Sequence, residues 1–190
     1  AYEALRQIVS WLRAGAGEHM IEIRAEAPEH IPAIRRVNER AFGDRPNEAR
    51  LVDLLRATGK AVISLVAVSA GDVVGHVLFS PVTLDPPQAG FDGAGLAPVA
   101  VAPEFQRQGI GSKLIRAGLE KCKQAGYSVV IVLGDPGYYS RFGFARADDY
   151  GLGNDYNADE HFMALELKEG ALRGMTGVVK YAAEFNEANC

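Results

Sequence analysis

The segment Gln106-Arg107-Gln108-Gly109-Ile110-Gly111-Ser112 places two glycines, a guanidinium and a hydroxyl just ahead of an amphipathic helical pattern. The first N–H groups of a helix have no internal partner and lie at the positive end of its dipole. Glycine lets a ligand come close to the backbone there. Such a junction can hold phosphate or pyrophosphate, and Arg107 can add a charged contact. The segment lacks the Gly-Lys-Ser/Thr ending of a nucleoside triphosphate loop and the third glycine of the dinucleotide fingerprint. On these residues alone, an anion cradle and a purely structural turn both stand. The two cysteines, Cys122 and Cys190, form no disulfide framework and no metal-binding spacing.

The elements around this segment must position it. Ile21 to Arg24 reads as an opening strand, and Ala27-Pro28 introduces a helix carrying Ile31, Ile34, Val37, Asn38 and Ala41. Gly43 to Pro46 breaks that helix. A second helix is expected from Asn47, as N-cap, to about Thr58, with Leu51, Leu54 and Leu55 inward. Val62 to Val68 and Val73 to Ser80 read as a hairpin turning at Ala70-Gly71-Asp72. Residues 81–93, rich in proline and glycine, read as a loop. Ala94 to Val101 is a strand with an irregularity expected at Pro98, which cannot donate a ladder hydrogen bond. Gly109 to Ala125 is the strongest helix, with Ile110, Leu114, Ile115, Gly118, Leu119 and Cys122 on one face. Ser128 to Leu133 is a continuous apolar run, as in a strand buried on both faces. Strand, helix and strand make a right-handed βαβ unit with parallel strands. Pro136 to Phe142 reads as a short helix or turn, and His161 to Leu167 as a further strand. Residues 170–190 are less defined, with Val178 to Tyr181 extended.

Leu96 to Gly111, read through this strand, turn and loop, resembles the GNAT family of N-acetyltransferases and its pyrophosphate loop. Tyr138-Tyr139-Ser140-Arg141-Phe142-Gly143-Phe144 resembles the family's tyrosine-bearing helix and the strand entry after it. The resemblance spans about residues 21–168 and is closest to the bacterial YhbS-like branch. It implies an α/β fold with a mixed, mostly antiparallel sheet, a central splayed parallel strand pair and flanking helices. It also implies acetyl-CoA as co-substrate and direct acetyl transfer to a primary amine, with no metal. Gln106, Arg107, Gln108, Gly109, Ile110, Gly111 and Ser112 are then expected to hold the pyrophosphate. Val99, Ala100 and Val101 are expected to pair with the pantetheine arm, and Gly134 to border it. Tyr139 aligns with the tyrosine that protonates the departing thiolate, while Tyr138 packs. A backbone N–H near Val99 or Ala100 is expected to polarise the thioester carbonyl. No enzyme nucleophile is needed, so Cys122 reads as a buried thiol. The general base is open among His76, Glu48, Asp135 and water; His161 reads as a surface residue.

Composition bounds the partners. The 190-residue chain is 48% hydrophobic and 23% charged, with net charge -4. That balance suits one globular domain and gives no broad basic footprint, so nucleic acid is not an expected partner. No apolar run reaches the roughly 18 residues of a membrane span, and a cytoplasmic location is expected. Residues 1–19 read as a helical extension, with Leu5, Ile8, Val9 and Leu12 on one face. Glu3, Arg6, Arg13 and Glu18 interrupt it too often for a secretory signal. The acetyltransferase domain is expected over 20–168, with 169–190 packed on or trailing it. The acceptor is expected to be a small-molecule amine or a protein amine. Asp148, Asp149, Asp155, Asp159 and Glu160 either attract a cationic amine or form a solvated loop. A homodimer through the C-terminal strands is a further expectation. The competing reading is a non-catalytic acyl-CoA-binding sensor module.

Overall fold

The computed structural model describes residues 20–190; the helix expected over 1–19 lies outside the described residues. Among the described residues nine strands form one sheet: β1 (Glu22–Ala25), β2 (Ile63–Ser69), β3 (Asp72–Asp85), β4 (Gly93–Val101), β5 (Val129–Leu133), β6 (Ala145–Arg146), β7 (Leu152–Asn154), β8 (Phe162–Glu166) and β9 (Gly177–Lys180). Their order is β1-β2-β3-β4-β5-β8-β6, and β9 pairs with the far end of β3 and with β7. The central pair β4–β5 is parallel and its neighbours are antiparallel. The helices are α1 (Ile31–Ala41), α2 (Asn47–Ala57), α3 (Ile110–Gln124), α4 (Pro136–Tyr139) and α5 (Glu184–Ala188).

Two faces of the sheet are covered differently. Helix α3 lays Leu114, Ile115 and Cys122 on Leu65, Val77, Phe79, Leu96 and Val130. Gly118 lets it come close: a Cβ there would lie 2.3 Å from the Phe79 ring. Helices α1, α2 and α5 cover the other face, where Ile34, Leu51, Leu55 and Phe185 pack on Val66 and Leu78. Strand β5 is buried on both faces: Val130 and Val132 turn toward α3, while Val129 and Ile131 enter a third cluster with Phe162 and Val179. That is why its sequence is continuously apolar.

Three elements depart from the sequence reading. Strand β3 continues beyond Ser80 to Asp85 instead of giving way to a loop. Phe79 turns its carbonyl to the Val62 N–H, and Pro81 faces the same way past the end of β2. Its missing N–H therefore removes no ladder bond. Asn47 is the first residue of α2 rather than its cap; its Nδ2 donates to the Asn189 carbonyl at 3.1 Å. Helix α5 has no clear sequence signal and is held by Lys60, whose Nζ lies 2.8 Å from Glu184.

Candidate active site

The irregularity expected at Pro98 is present and shapes the site. The β3–β4 register passes from Val77↔Val99 to Phe79↔Leu96, so β4 holds an extra residue at Ala97-Pro98. This reverses which side chains face which way. Leu96 and Val99 both pack on the α3 side, while Gly95 and Ala100 belong to the opposite face. β4 pairs with β5 only over Gly93 to Gly95. Beyond Gly95 the parallel strands part, and the β5-facing edge of β4 is open.

The ladder tells which backbone groups line that opening. Ala102 N–H donates to the Val74 carbonyl at 2.9 Å. Residues alternate in direction along a strand, so Ala100 also turns its N–H toward β3, and Val99 and Val101 turn theirs to the gap. Gln106 Nε2 already uses the Val101 carbonyl at 3.0 Å. The Ala100 side chain is buried on the face away from the gap, so this member of the expected cofactor set does not line it.

Below the strand, Arg107 (φ 59°) and Gly109 (φ 80°) both adopt the left-handed conformation. Such a turn curls successive N–H groups toward one point. Gly109 is the N-cap of α3 and contributes no side-chain cap. Lys113 N–H bonds to the Gly109 carbonyl at 3.0 Å, while Ile110, Gly111 and Ser112 occupy the three preceding helical positions. Their N–H groups are the ones a helix leaves without an internal partner. Gln108 turns its side chain back, Nε2 donating to the Glu104 carbonyl at 3.0 Å.

These pieces border one cleft of about 710 Å³, lined by Val99, Val101, Gln106, Arg107, Gly109 to Ser112, Tyr138, Tyr139 and Arg141 among others. Gln108, Ala100 and Gly134 do not line it. Gly134 instead makes room for Tyr139: a Cβ there would lie 2.2 Å from its ring. Tyr139 also meets Phe144 edge-on at 5.7 Å and Tyr138 at 5.2 Å. Burial, then the neighbouring Tyr138, pushes the Tyr139 hydroxyl up to about 12. It therefore keeps its proton throughout the neutral range. Tyr138 Oη lies 3.4 Å from Ser112 Oγ, and Arg141 stacks on the Tyr138 ring at 4.6 Å.

The base candidates separate. His76 lies on the face opposite the cleft and is fully buried. Its Nδ1 is 3.1 Å from Asn38 Nδ2, and its Nε2 is 2.9 Å from Ser64 Oγ, which bonds to Glu26. A neutral ring satisfies this chain: Asn38 donates to Nδ1, Nε2–H donates to Ser64, and Ser64 donates to Glu26. Burial outweighs the attraction of Glu26 and lowers the His76 pKa to about 3. A weakly basic ring with both nitrogens engaged is not a general base, which corrects the expectation for His76. Asp135 caps α4, accepting from Gly137 N–H at 3.1 Å. Glu48, on α2, has one carboxylate oxygen buried without a partner among the described residues. His161 is exposed. Burial raises the Cys122 thiol to about 12, consistent with an inert core residue. The acidic segment is largely occupied with its neighbours: Asp148 with Arg146, Asp155 with Lys180 and Asp159 with Asn154.

Fold and cleft together are those of an acetyltransferase, and the comparison with known proteins agrees. The acetyltransferase (GNAT) domain family matches residues 22–147. The chain belongs to the GNAT family. The N-acetyltransferase YhbS of Escherichia coli (strain K12) is 39% identical over 166 residues, covering 86% of this chain and 98% of that protein. YjhQ of the same strain is 38% identical over 137 residues, covering 69% and 74%. The crystal structure of Escherichia coli YhbS in complex with CoA aligns with a TM-score of 0.84 at 37% identity, over 90% of this chain and 94% of that one. A GNAT acetyltransferase from Brucella melitensis in complex with acetyl-CoA aligns with a TM-score of 0.73 at 38% identity, over 88% and 99%. Among the described residues no helix is long and apolar enough to cross a membrane.

Proposed function

We propose that this protein transfers the acetyl group of acetyl-CoA directly to a primary amine of a small molecule or a protein. The observation that carries this reading is the convergence on one cleft of three features: the unpaired edge of β4, the free N–H groups at the start of α3, and the Tyr139 hydroxyl. The family membership and the CoA-bound relatives support it.

In this reading the pyrophosphate lies on the N–H groups of Ile110, Gly111 and Ser112, beside Arg107. Charge-assisted hydrogen bonds of this kind are stronger than neutral ones. The pantetheine arm runs along Val99 and Val101 as an added strand. The Val99 N–H, which faces the gap, stabilises the negative charge that develops on the thioester oxygen. The amine nitrogen attacks the carbonyl carbon, the C–S bond breaks, and Tyr139 gives its proton to the leaving sulfur. The amine loses a proton to Glu48 or to water; Asp135 is committed to its cap.

Turnover is the test. Purified protein with acetyl-CoA and a panel of primary amines should release thiol in step with N-acetylated product. CoA binding without release on any amine would overturn the enzymatic reading in favour of an acyl-CoA sensor.

A further inference from the structure

A packing role explains the ring of Tyr138 but not its hydroxyl. The ring meets Tyr139 at 5.2 Å and Phe142 at 5.4 Å, both edge-on, and the Arg141 guanidinium lies 4.6 Å over its face. A phenylalanine would keep all three contacts. The hydroxyl instead projects over the first turn of α3. Its one partner among the described residues is Ser112 Oγ, at 3.4 Å. Hydroxyl pairs ordinarily sit at about 2.7–2.8 Å, so this bond is weak and commits neither group. Both residues line the 710 Å³ cleft and keep accessible surface.

Gly111 gives the hydroxyl its room. It lies within α3 and is not among the residues with positive φ, so its backbone conformation does not call for glycine. Glycine is also a poorer helix residue than alanine. A Cβ at Gly111 would lie 3.2 Å from Tyr138 Oη, while its next neighbours, Val101 and Val99, stand at 3.8 and 4.0 Å. The crowding that a side chain would meet there comes from this hydroxyl. Tyr138 Oη therefore sits directly over the backbone whose free N–H groups make the cradle.

The N–H groups of α3 approach an anion from the helix end and leave it further oxygens to be satisfied. A hydroxyl rotates its proton toward the better acceptor, and a phosphate oxygen is a better acceptor than Ser112. Arg141, which also lines the cleft, holds the ring by its face and brings positive charge to the same wall.

We infer that Tyr138 is a phosphate ligand: with CoA bound, its hydroxyl leaves Ser112 and donates to the diphosphate seated on the α3 N–H groups. This rests on the acetyl-CoA reading above. It gives the cradle a side-chain donor from α4, an element distant in sequence from the glycine-rich loop.

Tyr138→Phe removes the hydroxyl and keeps the ring. Isothermal titration with CoA should show roughly tenfold or greater weakening, the worth of one hydrogen bond to a charged group. The melting temperature of the ligand-free variant should match the wild type. Phosphorus NMR spectra at saturating CoA identify the group that is touched: between wild type and variant a diphosphate resonance should move, and the ribose phosphate resonance should not. Wild-type affinity in Tyr138→Phe, or a loss of affinity with the diphosphate resonances unmoved, overturns the assignment. A lower melting temperature in the ligand-free variant also overturns it, because the hydroxyl would then serve the fold through Ser112. Failure of the wild type to bind CoA at all would instead overturn the cofactor reading beneath it.

Discussion

Gly109→Val isolates what the cradle needs from its glycine. Gly109 has φ 80°, and a Cβ built there meets nothing within 4 Å. Any loss therefore comes from the backbone rather than from a clash within the protein. An L-residue in the left-handed region costs about 1–2 kcal/mol, and a β-branched one more. The loop relieves this by swinging φ to negative values, which turns the Ile110 and Gly111 N–H groups off their common point. A hydrogen bond to a charged group contributes about 1.5–3 kcal/mol. Losing two gives about 3–6 kcal/mol, so CoA should bind at least roughly 100-fold more weakly. Gly126→Val is the control. It too has φ 94° and open space around its Cβ, but it closes the far end of α3. Titration calorimetry with CoA and a thermal melt should show similar losses of stability in the two variants, and loss of CoA affinity in Gly109→Val alone. Wild-type affinity in Gly109→Val, or an equal loss in Gly126→Val, would show that the left-handed turn at Gly109 does not hold the anion.

Other consequences follow from the same geometry. Tyr139→Phe keeps the ring over Gly134 and should lower kcat by roughly 10²- to 10⁴-fold, with little change in KM for acetyl-CoA; a raised KM with unchanged kcat would point to packing alone. Gly118→Ala forces the Phe79 ring to move and should cost about 2 kcal/mol, lowering Tm by about 6 °C; an unchanged melt would show that the ring yields freely. His76 is held neutral, with its folded pKa near 3 against an ordinary 6.5. As pH falls from 6.5 toward 3 the unfolded chain takes up a proton that the folded one does not. Stability from this group is therefore complete above 6.5 and lost by up to roughly 1.4 kcal/mol per pH unit below it. Denaturant titrations of His76→Gln should lack that part of the slope; an identical slope would mean that the ring titrates normally.

How much of this is legible in the sequence depends on how local each feature is. The cradle, its helix and the strand before it are continuous, so glycine placement and helical periodicity reveal them directly. The bulge at Pro98 is readable because proline lacks the N–H that a ladder requires. The continuation of β3 past Pro81 is not, because it depends on β2 having already ended and β9 being present to pair. The isolation of His76 is equally hidden: Asn38, Ser64 and Glu26 come from three separate elements. Glu48 and His76 look alike as base candidates in the chain, and only burial and hydrogen bonding distinguish them. The return of β9 along the far end of β3 carries no local signal, because strand propensity does not encode a long-range pairing.

CoA is expected to lie on the cradle and along the open edge of β4. Backbone amide spectra of ¹⁵N-labelled protein, recorded with increasing CoA, will show where it binds. The largest shifts should fall on Val99, Val101, Ile110, Gly111 and Ser112, with Ala100 moving less because its N–H faces β3. Shifts concentrated instead around Arg36, Arg40 and Asp72, which border a separate depression beside α1, would contradict that placement.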